Sequence, residues 1–503
     1  MTAEHSIHAR FSAGLARSAH RPALRIGERS WTYQQVHDLA LTWAERILEV
    51  TGPERERPAR VGLLCGRGPE AYVGILATLY AGATVAPLLA DFPAERTAAM
   101  VADLDPDLVL LDPAGAKVWP QVGSAVATLA TGTVPEHVDV RPRLKQPVWR
   151  GANDDAYVLF TSGSTGRPKG VRLTHGNLTT YFAFTDAEYG WGAHDVFAQA
   201  ANLNWDSSVS DVWSAWGVGA PLVPIPTHAY RNLPAFINVN SITVWFSAPS
   251  VVGLVRRTGN LTPGCMPWLT HVIFGGEALL CSDTAEWQAA APKSQIINVY
   301  GPTETTITTH RHTWQPGVSD VQAVNGVVPI GAVQPGARER LVPLDDGAWN
   351  TGELWLGGEQ VSAGYVRSEQ EQGRYVLRDG QVWYRTGDVV RRLPSGELAF
   401  LGRVDNQVQI HGLRVELGDI EHALRAVPGV QEVVVVGVPS DGTTQLRVFY
   451  TGSEVAAVDF NRTLQQSLPM QLIPRWYRRV PEFPLNSNRK IDRKELQLQA
   501  SGS

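Results

Sequence analysis

Between residues 60 and 111 short apolar runs alternate with stretches of helical periodicity, predicting strands over 60–65, 84–88 and 108–111 and helices over 69–80 and 93–104. This rhythm constrains the fold more than any other feature, because parallel strands joined by crossover helices call for an α/β layout with helices covering the sheet, and it argues for a doubly wound one. The alternation resumes later, with a helix over 176–189 and strands over 196–199, 222–225, 242–246, 272–274 and 295–299. Ahead of it, residues 1–50 read as a helix, a hairpin around residues 26–29 and a second helix. Residues 113–150, rich in Pro, Gly and Thr, read as a segment that wanders over the surface until a strand begins at Ala156. From about Thr351 the Gly-punctuated runs GELWLGGEQVSAGY, VWYRTGDVVR and GELAFLGRVD read as a β-rich subdomain of hairpins. Residues 406–503 read as a small α+β unit with strands at 408–410, 433–437 and 447–450, helices at 417–426 and 458–468, and a disordered tail, LQLQASGS. A chain of 503 residues exceeds what one core can organise, so a large body and at least one smaller domain are expected. The expected fold class is therefore α/β, with a large N-terminal body of doubly wound sheets, a β-rich subdomain and a small C-terminal α+β domain.

Several predicted strands end in polar or glycine-rich turns, which in open α/β sheets are the expected walls of a ligand site. The most informative is YVLFTSGSTGRPKG, residues 157–170, where an apolar strand runs into glycines and hydroxyls and closes on Lys169. Gly163, Gly166 and Gly170 allow positive φ and close approach of backbone amides, Thr161, Ser162, Ser164 and Thr165 supply side-chain donors, and Lys169 supplies charge. A phosphate is the ligand this chemistry suits. The spacing is not that of a Walker loop, because Pro168 separates Arg167 from Lys169 and Gly170 follows the lysine. The two other turns of this kind are Gly275-Gly276-Glu277, and Tyr300-Gly301-Pro302-Thr303-Glu304-Thr305.

Composition excludes some partners. A formal net charge of −5 with 18% charged residues offers no bulk attraction to nucleic acid or to an anionic membrane. The N-terminus has no signal-peptide pattern and no segment approaches ~18 uninterrupted apolar residues, so the expectation is a cytoplasmic protein. Cys65, Cys265 and Cys281 are odd in number and lack metal-ligand spacing, which fits a reducing compartment without disulfides.

Six motifs in order, TSGSTGRPKG, NVYGPTETTI, GELWLGG, YRTGD, GRVDNQVQIHGLRVELGDIE and NRKIDRKEL, span nearly the whole chain and resemble the adenylate-forming superfamily. The resemblance is strongest to the amino-acid adenylation domains of nonribosomal peptide synthesis. It implies attack of a carboxylate on the α-phosphate of ATP, loss of pyrophosphate, and transfer of the acyl group to a phosphopantetheine thiol. By the resemblance, Thr161, Ser162, Gly163, Ser164, Thr165, Gly166 and Lys169 would cradle the leaving phosphates, and Glu304 would hold Mg²⁺. Asn298 and Tyr300 would meet adenine, Asp388 would accept both ribose hydroxyls, and Arg403 and Phe400 would complete the nucleotide site together with Gly276, Gly301 and Thr303. Lys490 would bridge the attacking carboxylate and the α-phosphate, where a compact point charge suits the developing negative charge. The resemblance also divides the chain into a core, 1–404, and a lid, 405–503, turning about Asp405 to bring Gly412 toward the thiol's path. This sequence departs from the family pattern at Ser487 and Arg489, usually Pro and Gly, and at Gln409 and His411, usually Lys and Arg.

The substrate expectation turns on Asp206 in NLNWDSSVSDVW, which in amino-acid-activating relatives pairs with the α-ammonium. Its other reading is the N-cap of a helix over 207–216. The remaining pocket positions would be Ser207, Ser210, Phe246, Ile273, Gly275, Val299, Ile307 and Thr308, none of them charged, which favours a neutral amino acid. Phe246 narrows the cavity and Gly275 opens one wall, suggesting a small to medium aliphatic or cyclic side chain, with an aromatic one still open. No carrier signature follows Leu496 and no condensation domain precedes Met1, so the expectation is a free-standing enzyme serving a discrete phosphopantetheinylated carrier protein, or a piece cut from a larger synthetase. A small helper protein is a further candidate partner. Two other readings stay open: an acyl- or aryl-CoA ligase, and a non-catalytic nucleotide-binding relative.

Overall fold

The computed structural model describes residues 5–501 except 54, 137, 162–166, 345–349, 372, 405–406, 411–412, 441–442, 467 and 485–490. Two mixed sheets carry the body. One, of six strands, runs in the order Thr128–Ala130, Leu108–Leu111, Arg60–Cys65, Thr84–Leu89, Asp155–Thr161 and Lys169–Thr174, parallel except for the final antiparallel pair. The other has nine strands in the order Ala332–Val333, His310–Thr313, Gln295–Tyr300, His271–Gly275, Val244–Ser247, Phe197–Gln199, Leu222–Pro224, Pro22–Ile26 and Arg29–Thr32. Its centre is parallel: Ser247 lies beside Phe274, and Gly275 beside Val299, so these strands end at one level. The sequence explains why. These strands are near-continuous apolar runs buried on both faces, with Trp245, Val272 and Ile296 fully enclosed.

The N-terminal hairpin belongs to the nine-stranded sheet, with Leu24 paired in parallel to Leu222. The helices Ala9–Ser18 and Tyr33–Thr51 flank it, the second opened by a capping box in which Thr32 and Gln35 bond reciprocally. The β-rich unit is the antiparallel set Ala337–Val342, Thr351–Gly358, Gln381–Arg392 and Tyr375–Arg378, with Leu398–Arg403 paired to Gln381–Arg392. Farther along, the hairpin Gln407–Ile410 with Leu413–Glu416, the strands Val430–Ser440, Thr443–Gly452 and Trp476–Arg479, and three helices have hydrophobic clusters of their own.

Three expectations change. Residues 113–122 form a helix rather than a wandering segment, because Asp112 accepts from the Gly115 amide (2.7 Å) at the N-cap and Pro113 suits the first helical position; Gly115 and Pro120 disguised it. The tail is ordered as the helix Arg493–Ser501, whose Leu496 and Ala500, four apart, are buried against Val434 and Val436. Gly170 has no positive φ: it lies within a strand opposite Phe160, where a Cβ would press on Val158 and Val366 at 3.0 Å. Cys65, Cys265 and Cys281 are free thiols, and among the described residues no helix is long and apolar enough to cross a membrane.

Two buried histidines join the N-terminus to the body. His8 donates to the Val148 carbonyl (3.2 Å) and His175 accepts from the Ile7 amide (3.1 Å). Burial lowers them to about 4 and about 3 respectively. Since the unfolded imidazoles titrate near 6.5, the unfolded chain takes up more protons below that pH, and stability falls as pH drops toward the folded values, by about 1.4 kcal/mol per unit for each. The urea midpoint should therefore decline from pH 6.5 to 4 and decline less steeply in His8→Gln, whose amide can keep the Val148 bond. An unchanged slope in that variant contradicts the assignment.

Candidate active site

A cavity of about 400 Å³ opens at the carboxyl ends of the central parallel strands. Its wall includes Thr161, Asp206, Ser207, Phe246, Gly275, Gly276, Val299, Gly301, Thr303, Ile307 and Thr308. Thus most of the expected amino-acid positions meet one cavity with one edge of the phosphate-loop strand. Val415, Leu468, Pro469 and Leu472 line it from the C-terminal part of the chain. Ser210, Ile273, Lys169, Asn298, Tyr300, Glu304, Asp388, Phe400 and Arg403 do not form its wall. Ser162, Gly163, Ser164, Thr165, Gly166, Asp405, His411, Gly412, Ser487, Arg489 and Lys490 lie outside the described residues.

Asp206 is the first residue of the helix Asp206–Val218; the N-cap is Trp205, and no side chain caps this helix. Its carboxylate faces the cavity with protein packed around it, and burial raises it to about 6 against hydrogen bonds from the Thr303 hydroxyl and the Ser207 amide; the nearby charge of Glu304 pushes the same way as burial. The pocket around it is narrow. A Cβ on Gly275 would come 2.8 Å from Val299 Cγ2 and 3.4 Å from Phe246 Cε2, so the space the glycine leaves is partly taken by those two side chains. Ser210 turns away to bond the Tyr181 hydroxyl (2.8 Å), and Thr308 Oγ1 accepts from the Gln334 amide (3.1 Å). All four are buried, so the polar side of this region is committed to internal bonds.

Behind the cavity, Glu304 is 1% exposed and its Oε1 accepts from the Tyr365 hydroxyl (2.6 Å). Lys169, also buried, begins the strand Lys169–Thr174 opposite Thr161, with its ammonium 5.8 Å from the Tyr365 ring centre. The segment 360–366 ties these groups together: Arg172 donates to Gly364 O (3.0 Å), Val366 to Gly170 O (2.8 Å), and Ser362 to Glu304 O (2.9 Å).

Among the positions expected to meet the nucleotide, Asp388 pairs with Arg403 in register across two strands, and its second oxygen accepts from the Tyr300 hydroxyl. Burial, then the Asp388 charge, holds that phenol well above its usual range. Tyr300 and Phe400 pack on one small apolar cluster around Ile330 and Leu354. The Asn298 amide donates to Pro329 O (2.9 Å) and Val328 O (3.3 Å), and its buried Oδ1 has no bonded partner among the described residues. Sequence reasoning missed Tyr181, Gln334, Gln360 and Tyr365. Each bonds a group 26 to 61 residues away in the chain, which leaves no periodic signal; only the positions of Gln360 and Tyr365 after GELWLGG pointed toward the site.

The chain is similar to known proteins along nearly its whole length. The chain is 32% identical over 517 residues to an L-proline--[L-prolyl-carrier protein] ligase of Streptomyces coelicolor, an alignment covering 96% of this chain and 95% of that one. It is also 32% identical over 499 residues to a dimodular nonribosomal peptide synthase of Bacillus subtilis; 92% of this chain is covered but only 20% of that relative's length. Among solved structures, IdnL7 is 44% identical with a TM-score of 0.76, covering 99% of both chains. The Vibrio cholerae adenylation domain AlmE, in complex with glycyl-adenosine-5'-phosphate, is 27% identical with a TM-score of 0.87, covering 99% of this chain and 98% of its own. The model of the family described as AMP-binding enzyme matches residues 11–366, well over half of the chain, and the chain belongs to that family of adenylate-forming ligases.

Proposed function

We propose that this enzyme activates a small to medium neutral amino acid with ATP, releasing pyrophosphate, and passes the aminoacyl group to the phosphopantetheine thiol of a discrete carrier protein. The observation that carries this reading is Asp206: a half-buried carboxylate in the cavity wall, raised to about 6 by partial loss of water and bonded by Thr303 and the Ser207 amide, is suited to meet a cation, and an α-ammonium is that cation. An acid without an amine would leave the charge unpaired. The wall residues Phe246, Gly275, Val299, Ile307 and Thr308 bring no charge of their own, which supports a neutral side chain.

Mg²⁺ fits the donors. Glu304 is a hard oxygen ligand steadied by a neutral hydroxyl, and among the described residues no group of three or more His, Cys, Asp or Glu converges to hold a metal alone, so phosphate oxygens would complete its shell. When bound, the cation would neutralise charge on the phosphates. Thr161 and Lys169 hold the ends of the phosphate loop, Lys169 adding positive charge, while Asp388 and Arg403 would receive the ribose and Asn298 Oδ1 the adenine amino group. We assign Lys490 to the adenylation step and residues 405–503 to a lid hinged at Asp405. The prolyl-carrier-protein ligase of similar length supports the carrier as partner.

The test is amino-acid-dependent exchange of labelled pyrophosphate into ATP across the proteinogenic amino acids, β-alanine, D-alanine and several aryl acids. Exchange with one or a few neutral amino acids is expected. Exchange only with amine-free acids would overturn the role of Asp206 and favour an acyl- or aryl-CoA ligase.

A further inference from the structure

Thr306 and Ile307 stand consecutively in the left-handed region, with φ of 60° and 68°. Neither is glycine, asparagine or aspartate, and both are β-branched, the type that tolerates this conformation least. The segment is also pressed against its own strand: a Cβ on Gly301 would lie 2.6 Å from Thr308 Cα and 2.9 Å from Ile307 O. Backbone of this kind persists only where its surroundings over-determine it.

Those surroundings centre on Gln360, which is fully buried and forms no part of the cavity wall. Its amide nitrogen donates to Thr308 O (2.8 Å) and Thr306 O (3.1 Å), with Thr305 O at 3.4 Å. Its main-chain oxygen accepts from the Thr306 hydroxyl (2.7 Å). Two residues on, the Ser362 amide takes the Glu304 carbonyl. One glutamine thus satisfies carbonyls on both sides of the strained pair, and that pair delivers Ile307 and Thr308 to the cavity wall that also carries Asp206.

We infer that Gln360 is a positioning residue for amino-acid selection: it acts through the backbone of residues 305–308 to set the wall formed by Ile307 and Thr308, without touching the substrate. This rests on the amino-acid reading proposed above. A glutamine that only filled the interior would contribute to stability and leave selectivity alone.

The experiment compares the wild type with Gln360→Met, which keeps length and volume but loses the donors. Pyrophosphate exchange is measured with the best amino acid, with its homologue one methylene longer, and with MgATP varied. The KM for the amino acid is expected to rise about tenfold and the preference between the two homologues to fall several-fold, while the KM for MgATP stays within about twofold. Unchanged amino-acid KM and preference, or equal rises in both KM values, overturn the inference. If Gln360→Met does not fold, Thr306→Val, which removes only the hydroxyl bonded to the Gln360 carbonyl, carries the test: the same split at smaller size upholds it, and no split overturns it. A wild type that exchanges with no amino acid defeats the parent reading and this one with it. A wild type that selects an amino acid, beside variants that select it equally well, defeats only this one.

Discussion

Asp206→Asn is expected to raise the KM for the amino acid about 10²- to 10³-fold in pyrophosphate exchange at saturating MgATP, because it strips one partner from a buried charge pair and leaves the α-ammonium desolvated. The KM for MgATP should move little, since Asp206 makes its side-chain contacts with Thr303 and the amino-acid wall. The wild type should also show a pH signature. With the Asp206 carboxyl raised to about 6 by burial, the free enzyme loses the charge that attracts the ammonium as pH falls below that value. The amino-acid kcat/KM should therefore drop toward tenfold per unit on the acid side, while kcat at saturation changes less. The inflection should be absent in Asp206→Asn. A rise in KM below tenfold, or an inflection that survives the substitution, would show that Asp206 does not pair with the substrate.

Lys490→Ala is expected to lower the rate of adenylate formation about 10²- to 10³-fold, the usual consequence of removing one electrostatic contact to a transition state that gathers charge. ATP binding measured by equilibrium dialysis should change only a few-fold, because in the function proposed above the ribose is met by the Asp388–Arg403 pair on the body and not by Lys490. The chain beside Lys490 is anchored: the Asp492 amide donates to Pro484 O (2.7 Å), and Ile491 packs against the cluster containing Val436 and Phe483. Lys490→Arg is not expected to restore the rate, since a planar fork does not reproduce a point charge. Near-normal exchange in Lys490→Ala would remove the residue from the mechanism.

Much of this arrangement was legible in the sequence, for a physical reason that also explains what was not. The strands ending at Cys65, Leu111, Gly275 and Tyr300 are short apolar runs closed by polar or glycine-rich turns, so periodicity and punctuation marked both the sheets and the strand ends, where the cavity opens in the nine-stranded one. The helix Pro113–Val122 escaped because its composition imitates a loop, while its stability comes from a cap and from lying against the strand carrying Leu64. The tail escaped because two buried positions in nine residues are too few to show a pattern until a sheet is present to receive them. Within the site, the positions that follow a strand end could be named in advance. Gln360, Tyr365 and Tyr181 could not, because their value lies in which distant carbonyl or carboxylate they reach. The turn away from the cavity by Ser210 is of the same kind, set by a tyrosine 29 residues earlier in the chain.

The parallel pairing of Leu24 with Leu222 has a consequence for how this chain is made. This hairpin forms the margin of the nine-stranded sheet, and its neighbouring strand, Leu222–Pro224, is synthesised almost two hundred residues later. Until residue 222 is made, the edge of Pro22–Ile26 that receives Leu222–Pro224 has no strand to pair with, while Trp31 can already donate to the Pro135 carbonyl. Translation pauses upstream of residue 222 would prolong that exposure, and nascent-chain chaperones would be needed most over that interval.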